Sequence, residues 1–420
     1  MSKPAEQIKQ TSQILNEPCW LLAWRTKRAE IAETLTKTLK YGIGISGVLP
    51  QNIEDSPLHF DKTADYHVDA SKGLELYTWK EAITQEEIAP ILEGLMESDL
   101  FPKASNYYSG LAQALFRSGL VIYAQPNVGD DGVSKEEKLT LDTMIPKESS
   151  ADVVIVIAKE GAKLALKSAL SGPSSAESSE GEGQDGQSVF ARTFIVLTER
   201  DAHVRIMQKQ SLHKGTTILL SACGIVAAHS SCAWNEVFAG DIAVKSETEN
   251  ILIGEWALGE ILQGVVASGS AKYDIFSSVK HLADHTHSHI RAAGLGADTS
   301  KIVYRGMIDV AEGIRAVDGG QEARFLVLSP KAEVDAIPAL DIASKDVQCT
   351  HKLSISHIRD TDTFYPKLRG LSDSESRQLF LEGHFAQVLS TGSRRDFSGE
   401  ENEEIMDEVR GALSPPQTTY

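Results

Sequence analysis

Asp152-Val-Val-Ile-Val-Ile157 and Phe194-Ile-Val-Leu197 set the texture of nearly half of this chain. Both are short runs of β-branched and aliphatic residues, the composition of strands covered on both faces. Similar runs recur at Val204-Arg-Ile206, Thr217-Ile-Leu-Leu220, Gly224-Ile-Val-Ala227, Asp241-Ile-Ala-Val244 and Ile251-Leu-Ile253. They continue through 261–266, 273–276, Lys301-Ile-Val-Tyr304, Met307-Ile-Asp-Val310, 324–328 and Ala339-Leu-Asp-Ile342. Glycine and small polar residues separate them, and no helical pattern long enough for a crossover interrupts them, which excludes a doubly wound α/β sheet. Of the remaining all-β arrangements, a sandwich, a propeller or a parallel β-helix, the last fits best. Its corners use small residues and its rungs need no hairpins, and Asn-Gly or Asp-Gly hairpin signals are nearly absent here.

The flanks read differently. Trp20, Leu21, Trp24, Ala29, Ile31, Leu35 and Leu39 recur at helical spacing, and the pattern predicts a helix opening at Pro18 and stopping at Tyr41-Gly42. A second helix is expected over 84–96, with Thr84 and Glu87 at capping-box spacing, and a third over 105–118. Beyond Phe364, Ser372-Asp-Ser-Glu375 has the form of a capping box leading into a helix to Leu389, and a last helix is expected over 401–413. The organisation expected is therefore a helical region over 1–148, a strand core over 149–358 and a helical region over 359–420. Residues 171–188, almost free of apolar side chains, form an expected disordered loop within the core.

The chain has 420 residues with 41 Lys and Arg against 59 Asp and Glu, a formal charge of -18. That balance speaks against a binder of phosphate backbones and leaves nucleic acid outside the expected partners. The four cysteines, Cys19, Cys223, Cys232 and Cys349, show no paired spacing, as reduced thiols in a cytoplasmic compartment would. The opening MSKPAEQIKQTSQ lacks a signal-peptide core, and no run approaches a membrane span, so no membrane role is expected.

Two groups of residues could carry chemistry. His285, His287 and His289 alternate, so on a strand they would share a face and could ligate a metal, with His281 nearby. Cys349-Thr-His351 likewise places a thiol and an imidazole on one strand face, a pair suited to iron or iron–sulfur species. Walker A, GxGxxG, GxSxG and HExxH patterns are missing, so nothing points to a self-contained enzyme.

The run Val347-Gln-Cys-Thr-His-Lys-Leu-Ser-Ile-Ser-His-Ile-Arg-Asp-Thr-Asp-Thr-Phe-Tyr365, followed by Leu368-Arg-Gly370, resembles the C-terminal signature of the SufB/SufD family of iron–sulfur cluster assembly proteins. Tyr304-Arg-Gly306, Ser329-Pro-Lys-Ala-Glu-Val-Asp335 with Ile337-Pro-Ala-Leu-Asp-Ile342, and Asn16-Glu-Pro-Cys-Trp-Leu with Arg25 are similar to further family segments. The resemblance implies a mainly β fold, a right-handed parallel β-helix core flanked by N-terminal and C-terminal helical regions. It also implies a non-catalytic scaffold that binds a SufC-type ABC ATPase, here through Phe364, Tyr365, Leu368, Arg369, Leu379, Phe380 and Phe385. Its other partner would be a SufB-type chain or a second copy of itself, as a homodimer.

By the same resemblance, His351 and Cys349 would help hold a nascent cluster, transient and shared with that partner. The SufB cysteine position falls near Ala323 and the SufB glutamate on Lys352, so the likeness is to a SufD-type member; Lys352 also replaces the usual SufD glycine. Two readings compete: a β-helix carbohydrate-active enzyme, disfavoured by only 6% aromatic residues, and a stand-alone metal carrier using the histidine row.

Overall fold

The computed structural model describes residues 3–35, 60, 62–129, 134–172, 188–212 and 216–389. Two short N-terminal helices, α1 (Lys3–Leu15) and α2 (Cys19–Thr34), precede the first strands. Strands β1 (Asp65–Ala70) and β2 (Leu74–Thr78) are followed by helices α3 (Trp79–Ala82), α4 (Ala89–Glu97) and α5 (Tyr107–Leu115). The stacked strands then begin: β3 (Ser118–Ala124), the small pair β4 (Asn127–Val128) and β5 (Ser134–Lys135), β6 (Glu137–Met144), β7 (Ser150–Ala158) and β8 (Lys163–Ser171). They run on as β9 (Ser188–Thr198), β10 (His203–Ser211), β11 (Thr216–Val226), β12 (Ser231–Gly240), β13 (Ala243–Leu252) and β14 (Leu258–Ala267). The last are β15 (Lys272–His281), β16 (His287–Gly296), β17 (Lys301–Val310), β18 (Arg315–Val327), β19 (Glu333–Ile342) and β20 (Asp346–His357), before helices α6 (Asp360–Leu368) and α7 (Asp373–Leu389).

From β6 onward the chain alternates between two nine-stranded sheets, one ending in β14-β16-β18-β20 and the other in β15-β17-β19, with parallel pairing throughout the stack. This is the expected parallel solenoid. From β9 onward each turn takes 26 to 32 residues, as in the partners Thr217↔Ala243, Ser231↔Leu258 and Lys301↔Glu333, whereas the earlier steps Ser150↔Phe190 and Lys163↔His203 take 40. Because side chains alternate across a strand, every second residue joins a column running through the interior. Trp234, Ile261 and Ile290 form one such column and Val226, Leu252 and Val310 belong to the same buried core. The corners repeat as well: Asp201, His229, Trp256 and His285 all hold φ between 57° and 63°, and the Trp256 and His285 rings stack 4.3 Å apart.

Strands begin well before residue 149, and several sequence runs prove to be halves of one strand. Thr217–Leu220 and Gly224–Ala227 fall largely in β11, and Lys301–Tyr304 and Met307–Val310 in β17. Helix α2 opens after Pro18 as expected but ends at Thr34, where Leu35 turns extended, short of the expected run to Leu39; the predicted stop at Tyr41-Gly42 lies outside the described residues. In place of a helix over 84–96, turns occupy 83–88 and α4 begins at Ala89; the capping box forms instead between Thr78 and Glu81 of α3. The expected 401–413 helix and residues 173–187 of the predicted loop lie outside the described residues. Ser372 and Glu375 do make their reciprocal cap at the start of α7.

The two helical flanks cover opposite sheets. Trp24, Leu92 and Leu111 join Leu219, Cys223 and Ile251 in one buried cluster over the odd-numbered strands. Leu381 and Phe385 of α7 pack with Val237, Leu262, Ala293 and Leu326 on the even-numbered strands. The Asn16-Glu-Pro-Cys-Trp segment has a local cause: Asn16, at φ 53°, lies between α1 and α2, and Glu17 grips the buried Arg25 guanidinium at 2.9 and 2.6 Å. The carbonyls of Ala114 and Phe116 take the remaining Arg25 donors, which ties α2 to the end of α5.

Two buried polar groups fix stability. Inside the first turns, Arg192 donates to Asp152 at 2.9 Å and to Thr143 at 2.9 Å, both side chains of the ion pair being 1% exposed or less. Removing one partner strands the other charge, so Arg192→Met is expected to destabilise the fold by about 3–5 kcal/mol, and adding Asp152→Leu to recover much of that. Urea unfolding of the single and double variants measures it. At a corner, His281 is wholly buried, with Thr286 and Ser288 at 2.7 and 2.9 Å from its two ring nitrogens. Thr286 already donates to Ala283, so Nδ1 carries the proton and Nε2 accepts from Ser288, a neutral ring. Burial pushes its pKa down to about 4. The unfolded ring titrates near ~6.5, so the unfolded chain binds more protons between these values. His281 therefore contributes its full stability above about pH 6.5 and loses it as pH falls to about 4, on the order of 3 kcal/mol in all. Replacing it in a His281→Gln variant should flatten that part of the stability–pH profile.

Candidate functional site

The two ends of the solenoid are built differently. At the first end, β1 and β2 run antiparallel to β6 and β3 and are the outermost strands there, with Tyr66, Val68, Leu74 and Leu76 packed over the interior core. At the other end β19 and β20 are the outermost strands, each paired on one side only. Such edges leave a row of backbone donors and acceptors unused and invite a further strand. Their apolar side chains are correspondingly uncovered: Ile337, Ile342, Leu353 and Ile355 are all exposed.

Cys349 and His351 lie on this last strand. Cys349 pairs with Gly319 in register and packs at the end of the interior core, with its Sγ close to the Gly319 Cα position that a side chain would fill. Partial burial and the Asp318 carboxylate push its thiol pKa up. His351, two residues on, is exposed on the same face of the strand and lies in register with Gln321. The strand thus presents a thiol and an imidazole together at the open end, as the alternation in the sequence requires. Lys352 points to the opposite face, in register with Glu322, so its charge is directed away from the Cys349–His351 face. Ala323, where a SufB cysteine would stand, is buried and pairs with Leu353.

A line of polar side chains runs inward from this end, unforeseen in the sequence. Gln321 is buried and neither of its amide atoms has a hydrogen-bond partner; Gly306 leaves the space that its amide fills. Tyr304 is buried beside it with an unpartnered hydroxyl. Deeper in, Ser277 donates to Gln263 at 2.5 Å, and Gln263 and Thr248 donate to Glu236 at 2.8 and 2.7 Å. Burial raises the Glu236 pKa, against the lowering effect of these two donors. Polar residues at interior positions, such as Glu236 two after Trp234 and Gln263 two after Ile261, were the available signal.

The histidine row does not assemble. His285 occupies a corner at φ 59° and stacks on Trp256, whereas His287 and His289 stand on the outer face of β16. His287 lies 3.9 Å from Asp318, and His289 is half-buried, its pKa lowered chiefly by that burial. Among the described residues no group of three or more His, Cys, Asp or Glu could hold a metal ion.

The expected ATPase-contacting residues divide into two sets. Phe364, Tyr365 and Leu368 of α6 and Leu379 of α7 are 53–67% exposed, with Arg369 over the Tyr365 ring. Phe385 is wholly buried and Phe380 packs beside it, both holding α7 to the even-numbered sheet. Those two are structural, because α7 turns one stripe inward and the sequence alone did not say which.

A family model described as SUF system FeS cluster assembly, SufBD core domain, matches residues 143–384. An iron–sulfur cluster assembly SufBD family protein of Staphylococcus saprophyticus is 23% identical over 317 residues, 75% of this chain and 65% of that protein. Proteins of the same description from Staphylococcus epidermidis and Staphylococcus aureus are 22% identical over the same extent. The matched segment thus spans just under two thirds of the length of these relatives. No helix among the described residues is long and apolar enough to cross a membrane.

Proposed function

Since this chain belongs to the SufBD family of iron–sulfur cluster assembly proteins, we propose that it is a non-catalytic scaffold of a SUF assembly complex. In this reading the open end of the solenoid is the partner surface. A SufB-type chain, or a second copy of this one, adds its strands to the β19 and β20 edges and covers Ile337, Leu353 and Ile355. The observation that carries the proposal is the difference between the ends: at one the chain reverses direction over the core in β1 and β2, and at the other the parallel stack stops at a strand bearing Cys349 and His351.

The cluster is cargo in this scheme. Two ligands from one chain leave a cluster iron incompletely held, so a thiolate or carboxylate from the partner completes the set. A raised thiol pKa means Cys349 binds iron only as it gives up its proton, which favours capture when metal and partner are both present. The exposed Phe364, Tyr365, Leu368 and Leu379 surface takes the SufC-type ATPase, whose movement on the α6–α7 pair would shift the neighbouring last rungs. Helix α7 lies against β12, β14, β16 and β18 through Phe385, so a displacement there reaches the strand next to β20.

Two experiments separate these roles. Co-expression with a SufC-type ATPase should give capture by the wild-type chain and loss of at least about tenfold in affinity for Phe364→Asp/Leu368→Asp, since hot-spot apolar contacts are worth about 2 kcal/mol or more. Unchanged capture would remove the assignment of this surface. His351→Ala and Cys349→Ser should leave capture intact while lowering the iron and sulfide content of the anaerobically isolated complex. Full cluster content in both variants would contradict the ligand role.

A further inference from the structure

Away from the solenoid end, α2, the end of α4 and the 98–104 loop enclose a cleft of about 750 Å³. That is the size of an ordinary small-molecule site. Its walls are aromatic and its polar groups are mostly cationic: Trp20, Trp24 and Phe101 with Lys27, Arg28 and Lys103, while Glu97 and Asp99 stand exposed at the rim.

The two arginines of α2 differ in a way that decides the reading. Arg25 is buried and every direction of its guanidinium is used, by Glu17 and by the carbonyls of Ala114 and Phe116. Arg28, one turn later, is half-buried over the Trp24 and Phe101 rings at 5.1 and 4.7 Å, and among the described residues it has neither a carboxylate nor a carbonyl partner. Burial lowers its pKa, the direction expected when no anion offsets the loss of water. A guanidinium lying over two rings, with no anion on it, keeps N–H donors for a ligand, and these are the part that recognises carboxylate and phosphate.

The rings are fixed as well. Trp24 donates from its indole nitrogen to the Met96 carbonyl at 2.7 Å and meets Phe101 edge-on at 5.0 Å, so the aromatic wall exists before any ligand arrives. Trp20 is only partly buried at the mouth of the cleft, where its face is available for stacking.

We propose that this cleft binds a small planar anion, an aromatic phosphate or carboxylate, with its ring against Trp20 and its charge on the unpartnered edge of Arg28. Lys27 and Lys103, both exposed on the same lining, add long-range attraction for the charge. Nothing in this assignment depends on the scaffold role or on Cys349 and His351.

Calorimetric titration of the full chain with 1-naphthyl phosphate, 1-naphthol and inorganic phosphate tests it. The expected result is saturable one-to-one binding of the naphthyl phosphate, at least about tenfold tighter than either the ring or the ion alone. Arg28→Met, which retains an apolar stem over the two rings, should weaken that binding about tenfold or more, the loss of a charge-assisted hydrogen bond. Trp20→Ala should weaken the ring-bearing probe and leave inorganic phosphate unchanged. Thermal unfolding of both variants at the wild-type temperature shows that the loss is not misfolding. Equal affinity for naphthol and naphthyl phosphate, undiminished binding to Arg28→Met, or no binding of naphthyl phosphate at millimolar concentration would each overturn the assignment.

Discussion

In-register parallel stacking is the constraint on which the rest of this molecule depends. Once Ser231, Leu258, His287 and Asp318 occupy equivalent places in successive turns, every interior residue must suit the column above and below it. Apolar columns meet that demand by burial, at about 1.5–3 kcal/mol for each large side chain. Polar residues meet it through hydrogen bonds, as in the bonded set of Glu236, Gln263, Thr248 and Ser277 and in Asn250, which donates to the Cys232 and Glu260 carbonyls, while Gln321 near the open end is left without a partner. Stacking also cannot end by itself, because the last strand always has a free edge. The chain reverses strand direction at one end, in β1 and β2, and stops with parallel strands at the other.

The placement of function follows from that inequality. Residues on an outermost rung keep the alternation of the solenoid but lose the cover of a next turn, so Cys349 is only partly buried and His351 is exposed although both belong to interior columns. A thiol and an imidazole in that position can be reached by another chain, and nowhere else along the interior would this hold. The helices serve the same geometry from outside. The N-terminal helices cover the odd-numbered sheet, and α7 covers the even-numbered sheet with Leu381 and Phe385 while displaying Leu379 outward.

Much of this was legible in the residues. The β-branched runs announced stacked strands, and the Cys349-Thr-His351 alternation put two ligand types on one face. The 26–32-residue turn was not legible, since columns repeat in character rather than in letter, and β12 and β16 are rich in Ala, Gly and Ser. The histidine row misled for a related reason: a corner at positive φ between Asp284 and Thr286 removes His285 from the strand that carries His287 and His289. Signature segments became intelligible only as contacts. Glu17 and Arg25 are a buried ion pair, and Gly306 makes room for the Gln321 amide. The helix expected over 84–96 starts late because Thr84 lies in the turn after α3, its hydroxyl donating to the Glu81 carbonyl rather than capping a helix.

The central claim is that the uncapped end of the solenoid is completed by another chain. It is tested most directly by native mass determination of the anaerobically co-expressed assembly, with a SufC-type ATPase and a SufB-type chain present. The wild-type chain should be found joined both to the ATPase and to a second solenoid, either the SufB-type chain or its own copy. A Leu353→Asp/Ile355→Asp variant should retain the ATPase and lose the second solenoid. Retention of both partners by that variant, at wild-type proportions, would contradict the account.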